Sequence, residues 1–154
     1  MALEFSTAGI TLKYAVETVA GTFPTSGYVT LPDIVSMSDI NPAPNMLDVT
    51  NLADLEWTRA ILGLKDGTDA FTVTVNGTDA GKTTWETCIS AANTGLGSGL
   101  ATWFEIVVPG YTESFYFAGV PSSLGFFGAD VDSVYRGDIY ISKTQIKGWA
   151  ASST

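Results

Sequence analysis

The chain has 154 residues, of which 45% are hydrophobic and 15% charged, with a formal net charge of −9. That length gives one domain, 1–154, with a real apolar core, and the apolar content excludes intrinsic disorder. The acidic balance and the scattered basic residues exclude a phosphate-neutralising nucleic-acid binder and disfavour anionic membranes, and no run approaches the ~18 apolar residues of a spanning helix.

In chain order, residues 1–9 form a short N-terminal arm carrying Leu3 and Phe5. It lacks the basic start and apolar run of an export signal, and with Cys88 the only cysteine, synthesis in a reducing cytoplasm is expected. Ile10, Leu12, Tyr14 and Val16 alternate with Thr11, Lys13, Ala15 and Glu17, which marks a strand with one buried face. Shorter strands are expected near 28–36 and 46–52, on either side of the turn-rich Asn41-Pro42-Ala43-Pro44-Asn45. Residues 53–70 carry Trp57, Ile61, Leu62 and Leu64 without clean alternation and read as an apolar loop. Phe71, Val73 and Val75 then alternate with threonines in a further strand.

Residues 80–93 break the pattern, because Trp85, Cys88, Ile89 and Ala92 fall at helical spacing. Asp79 is the expected N-cap, Thr83 to Glu86 a capping box, and Gly95, Gly97 and Gly99 the end of the helix and a flexible loop. Residues 102–108 and 114–120 are aromatic and β-branched, joined by a Pro109-Gly110 turn. Residues 129–142 are expected to be the longest strand. The fold class is therefore mainly β, an antiparallel sandwich or barrel of about seven or eight strands with one flanking helix.

Chemistry-bearing motifs are few. Gly77-Thr78-Asp79-Ala80-Gly81-Lys82-Thr83 lies between a strand and a helix, as a P-loop does. It has three residues between its glycines where wrapping a phosphate needs four, and Asp79 puts negative charge where the phosphate must sit. A strand-turn-helix cap explains the same residues. With no histidine, the usual general base, triad member and metal ligand are missing. Asp130 and Asp132 lack the further ligands of a calcium loop. No catalytic residue, cofactor or metal is therefore expected, and the chain reads as a non-enzyme.

Two features point to assembly. The charged fraction falls below the roughly 25% of an average soluble domain. Either Thr, Ser, Asn and Gly cover the surface, or much of it is buried against other copies, where charge is depleted. The apolar groups of 53–70 are either plugs of the core or a contact surface.

Gly63-Leu64-Lys65-Asp66-Gly67, followed by Phe71-Thr72-Val73-Thr74-Val75, resembles a signature of the major tail tube proteins of long-tailed bacteriophages. In order along the chain, the threonine-bearing first strand, the Asn-Pro-Ala-Pro-Asn loop and the tryptophan-bearing helix after Thr78-Asp79 agree with it. So do Trp103-Phe104-Glu105-Ile106, Phe115-Tyr116-Phe117-Ala118-Gly119 and a last strand, Val131-Asp132-Ser133-Val134-Tyr135, running into a short tail that ends near Trp149. The resemblance implies a tube fold like that of the phage lambda tail and of type VI secretion. It implies homohexameric rings stacked into a channel for DNA, which passes without specific binding. The expected location is the virion tail, with tape-measure, tail terminator and tail-tip proteins as further partners.

On that footing, Leu3, Phe5, Trp57, Ile61 and Leu64 are expected to contact neighbouring subunits. Along 129–142, alternation puts Val131, Tyr135, Ile139 and Ile141 toward the core and Asp130, Asp132 and Asp138 outward. In a tube, outward is lumen or exterior; the acidic set is assigned to the lumen, where it would repel phosphates and let DNA slide. Two other classes compete: a secreted or surface β-sandwich, pilin-like or carbohydrate-binding, and a nucleotide-binding enzyme resting on the imperfect glycine-lysine-threonine loop.

Overall fold

The computed structural model describes residues 9–41, 44–65 and 70–153. Leu3 and Phe5, expected at a subunit contact, lie outside these. Among the described residues there are nine strands and one helix. The strands are β1 (Thr11–Val16), β2 (Val29–Leu31), β3 (Ile34–Met37), β4 (Pro44–Asp48), β5 (Ala60–Lys65), β6 (Ala70–Asn76), β7 (Thr102–Val107), β8 (Glu113–Pro121) and β9 (Arg136–Ala151). The helix is α1 (Asp79–Gly97).

Seven strands form one antiparallel sheet in the order β2-β1-β7-β8-β9-β6-β3, and β4 and β5 form a separate hairpin. β2 and β3 lie on opposite edges of the large sheet, yet only Pro32 and Asp33 separate them in the chain. Leu31 and Ile34 are three Cα steps apart, at most about 11 Å. The two edges must therefore meet at this corner, which curls the sheet toward a barrel. Asp33 makes the corner at φ 62°, and its carbonyl accepts from the Asn76 N–H at 2.9 Å.

The mainly antiparallel β architecture with one helix is the one expected. The core is built by the inward faces that alternation marks: Leu12 and Tyr14 from β1, Phe71, Val73 and Val75 from β6, Phe104, Phe117, and Ile139 and Ile141 from β9. Trp85 and Cys88 of α1 close it, with Ile89 half-buried. On the outer face of β7 and β8, Trp103, Tyr116 and Ala118 form a second cluster covered by Phe23 and Tyr28. At the β7–β8 turn, Tyr111 N–H donates to the Val108 carbonyl at 3.1 Å, with Gly110 at φ 89° as that turn requires.

Four local expectations are corrected. The N-cap of α1 is Thr78, whose Oγ1 accepts from Gly81 N–H at 3.0 Å, not Asp79. The Thr83–Glu86 box is not used: Thr83 Oγ1 donates back to the Asp79 carbonyl, inside the helix. Gly95 and Gly97 continue the helix instead of leaving it, since Gly95 packs its bare Cα against Val16 and Leu100. Residues 129–135 are not strand. The β6 ladder ends at the pair Asn76↔Arg136; beyond it the Tyr135 carbonyl still accepts from Gly77 N–H at 2.7 Å, but no ladder continues, and Gly128 and Asp132 turn the chain at φ 87° and 62°.

A fifth correction matters most for function. The segment expected to be a loop contains β5, which pairs with β4 through Leu47↔Ile61 and Met46↔Leu62. Alternation could not reveal it, because neither face of this ribbon lies against the protein's own core.

Candidate assembly surface

A two-stranded hairpin is marginally stable alone in water and usually rests one face on a core. The β4–β5 hairpin rests neither. Neighbouring residues Met46 and Leu47 are both exposed, as are Ile61 and Leu62, so apolar groups stand on both faces. Leu64 and Val49 extend the row. Beyond it, Leu52 is 101% exposed, Leu55 90% and Trp57 81%. The backbones approach closely at Gly63, where an added Cβ would lie 3.0 Å from the Asn45 carbonyl oxygen.

The tip that carries these side chains is held by its own polar groups. Asp48 accepts from Thr50 N–H at 2.9 Å, and Thr50 Oγ1 accepts from Arg59 N–H at 2.7 Å. Asp54 accepts from Asn51 N–H and from Arg59 Nε, each at 2.9 Å. Asn51 Oδ1 accepts from Ala53 N–H at 2.8 Å. The carboxylates of Asp48 and Asp54 thus fix the loop from within, leaving Leu52, Leu55 and Trp57 to point away. The two acceptor bonds at Asp48, both from Thr50, hold its carboxyl below the usual range.

An apolar ribbon with a self-ordered tip is pre-organised for contact, because little loop entropy remains to be lost on docking. The structure brings together Trp57, Ile61, Leu62 and Leu64 and adds Met46, Leu47, Val49, Leu52 and Leu55, which the sequence did not single out. Their signal was a dense apolar run over 46–64 that fits neither period.

The acidic set is not brought onto one strand. Asp138 stands exposed on β9 and accepts from Thr74 Oγ1 at 2.7 Å, whereas Asp130 and Asp132 lie in the exposed loop before it. The glycine-lysine-threonine segment borders a cavity of about 260 Å³ shared with Trp85, Phe127, Tyr135 and Ile139. Its polar groups are engaged locally: Thr78 caps the helix and donates to Asp33, and Lys82 pairs with Glu86 at 2.8 Å.

Among the described residues two carboxylates are buried, Glu17 and Glu105. Glu17 accepts from Trp103 Nε1 at 2.8 Å and from Gly21 N–H at 2.9 Å. Glu105, fully buried on β7, accepts from Tyr116 Oη at 2.9 Å, Ser153 N–H at 3.0 Å and Ser153 Oγ at 2.6 Å. Burial alone would raise both, but these hydrogen bonds to the charged form outweigh it and hold both carboxyls below the usual range. Glu105 therefore fastens the C-terminal end of the chain to the barrel.

No protein-family model matches the chain, and no curated protein matches it. Among solved structures, it is similar to a chain in the sixfold-symmetrised cryo-electron-microscopy structure of the anti-feeding prophage baseplate. The match covers 100% of both chains, with a TM-score of 0.58 and 7% sequence identity. The likeness is one of fold.

Proposed function

We propose that this chain is a structural subunit of a phage-type tail, forming homohexameric rings that stack into a tube through which DNA leaves the virion. The observation that carries this reading is the β4–β5 hairpin, whose apolar residues stand on both faces and have no cover among the described residues. Such a ribbon is an aggregation hazard on a monomer and an ordinary contact in an oligomer. Support comes also from the shared fold with a component of a sixfold baseplate, and from the low charge of the whole chain.

In this reading the hairpin lies against a neighbouring copy. Trp57, Ile61 and Leu64 are contact residues, with Leu52 and Leu55 beside them. The Thr74–Asp138 face of β6 and β9 is directed to the lumen, where the −9 of each chain, repeated six times, repels phosphate. Tape-measure, terminator and tip proteins would bound the tube. The neighbour's place in a baseplate favours a second reading, a single sixfold ring at the tail end. Negative-stain microscopy of concentrated protein distinguishes them: stacked rings support the tube, single rings the baseplate reading, and dispersed monomers neither.

A further inference from the structure

A ring closed by rotation needs two different surfaces on each copy, one that inserts and one that receives. The hairpin supplies the first. Apart from it, the most exposed large apolar groups among the described residues are Val131 at 91%, Phe126 at 80% and Val134 at 63%. All three lie in one loop, residues 122–135, between β8 and β9.

This loop is held in place, so it is a surface and not a loose strap. Phe127 N–H donates to Tyr135 Oη at 3.4 Å, and Ser133 Oγ to the Asp130 carbonyl at 3.2 Å. The rings of Tyr135 and Phe127 pack against Gly77 and Gly137, and neither glycine has room for a Cβ. Phe126 and Phe127 both lie beside Tyr135, at 5.7 and 5.4 Å between ring centroids. Leu124, Gly125, Phe127 and Tyr135 also line the cavity of about 260 Å³ against α1. An apolar cavity of ~150 Å³ admits benzene, so this one has room for one aromatic side chain.

The two surfaces lie at opposite ends of β6. The hairpin leaves the large sheet near Ala70, and the loop meets it at Asn76, where Arg136 pairs. Six strand steps put these ends roughly 20 Å apart. Both surfaces are exposed on the same chain, so neither covers the other.

We infer that the hairpin tip of one copy, led by Trp57, docks head to tail on the 122–135 loop of a second copy. This rests on the assembly reading above and names the receiving surface of that contact. Charge agrees with it. Arg59 spends its Nε on Asp54, its guanidinium carries further donors, and Asp130 and Asp132 stand exposed on either side of Val131. Glu56 on the tip is likewise opposite in sign to Lys82 beside the cavity. A hairpin-on-hairpin contact would be two-fold, close a dimer and leave the loop bare.

The test adds one cysteine to each of two full chains, Thr58→Cys in the tip and Ala129→Cys in the loop, both exposed positions outside the apolar sets. Cys88 stays out of the reaction, being buried with its thiol pushed up to about 12. Treated with a short bis-maleimide, the mixture should give cross-linked pairs of one tip chain with one loop chain, told apart by a mass tag. Neither chain alone should do so in comparable yield. Phe126→Ser/Val131→Ser should raise the concentration for half assembly about tenfold or more, as a lost hot spot does, and leave the melting curve in place. Tip-to-tip pairs from the Thr58→Cys chain alone would show a two-fold contact and overturn the inference. So would a mixture that assembles without cross-linking, or a loop variant that assembles like the parent; in these cases the rings themselves stand. A parent that sediments as a monomer at every concentration removes the rings and this contact together.

Discussion

Replacing Leu52, Leu55 and Trp57 together by serine should abolish assembly while leaving the subunit folded. A tryptophan side chain presents about 150–250 Å², worth roughly 4–6 kcal/mol at 25 cal/mol per Å² if fully removed from water. Trp57 is 81% exposed, so nearly all of that is still to be gained on contact. Association entropy consumes much of it, and a hot-spot residue shows about 2 kcal/mol or more, a factor of roughly 30 per contact. Ring closure needs the contact six times over, so even Trp57→Ala should move assembly to far higher concentration. Because the three side chains touch little in the free subunit, its stability should change by only about 0.5 kcal/mol. Sedimentation velocity across a concentration series reads the assembly, and thermal melting followed by circular dichroism reads the fold. A triple variant that assembles like the parent refutes the reasoning, and one that unfolds shows that the tip serves the subunit's own stability.

Trp85→Ala should act the opposite way, costing about 3–5 kcal/mol through the cavity it leaves between α1 and the sheet, measured by chemical denaturation. Glu105→Ala should cost about 1–3 kcal/mol, since Ser153 N–H, Ser153 Oγ and Tyr116 lose their buried acceptor. The folded carboxyl lies below its unfolded value of about 4.3, so its contribution is complete above that pH and is lost as pH falls through the folded value. Melting temperatures from pH 7 down to 3 should therefore fall more steeply in the parent than in the variant. If the Thr74–Asp138 face lines the lumen, Asp138→Lys should permit assembly but slow DNA release, most at low salt; normal release there would place the Asp138 face on the exterior.

The barrel was legible in the sequence because its strands have one dry face. Leu12 and Tyr14, Phe71 to Val75, and Ile139 and Ile141 alternate as a half-buried strand must, and all are core. α1 was legible from Trp85, Cys88 and Ala92, but its ends were not. Competition among Thr78, Asp79 and Thr83 for the cap is settled by Asp33, which arrives from a distant corner of the sheet. Residues 129–135 misled because alternation was present without a partner strand, and pairing is a property of β6, not of the segment itself. The hairpin was half legible. Its apolar content was plain, but β5 was hidden because exposed ribbons obey no burial period. For the same reason, the composition that concealed the strand also marked the surface.

The claim that this hairpin joins copies of the chain into sixfold rings is tested most directly by cryo-electron microscopy of the assembled protein. The expected map shows sixfold rings in which Trp57, with Leu52 and Leu55, is buried against the neighbouring copy. Rings in which Trp57 stands in solvent, or concentrated protein that remains monomeric, would contradict it.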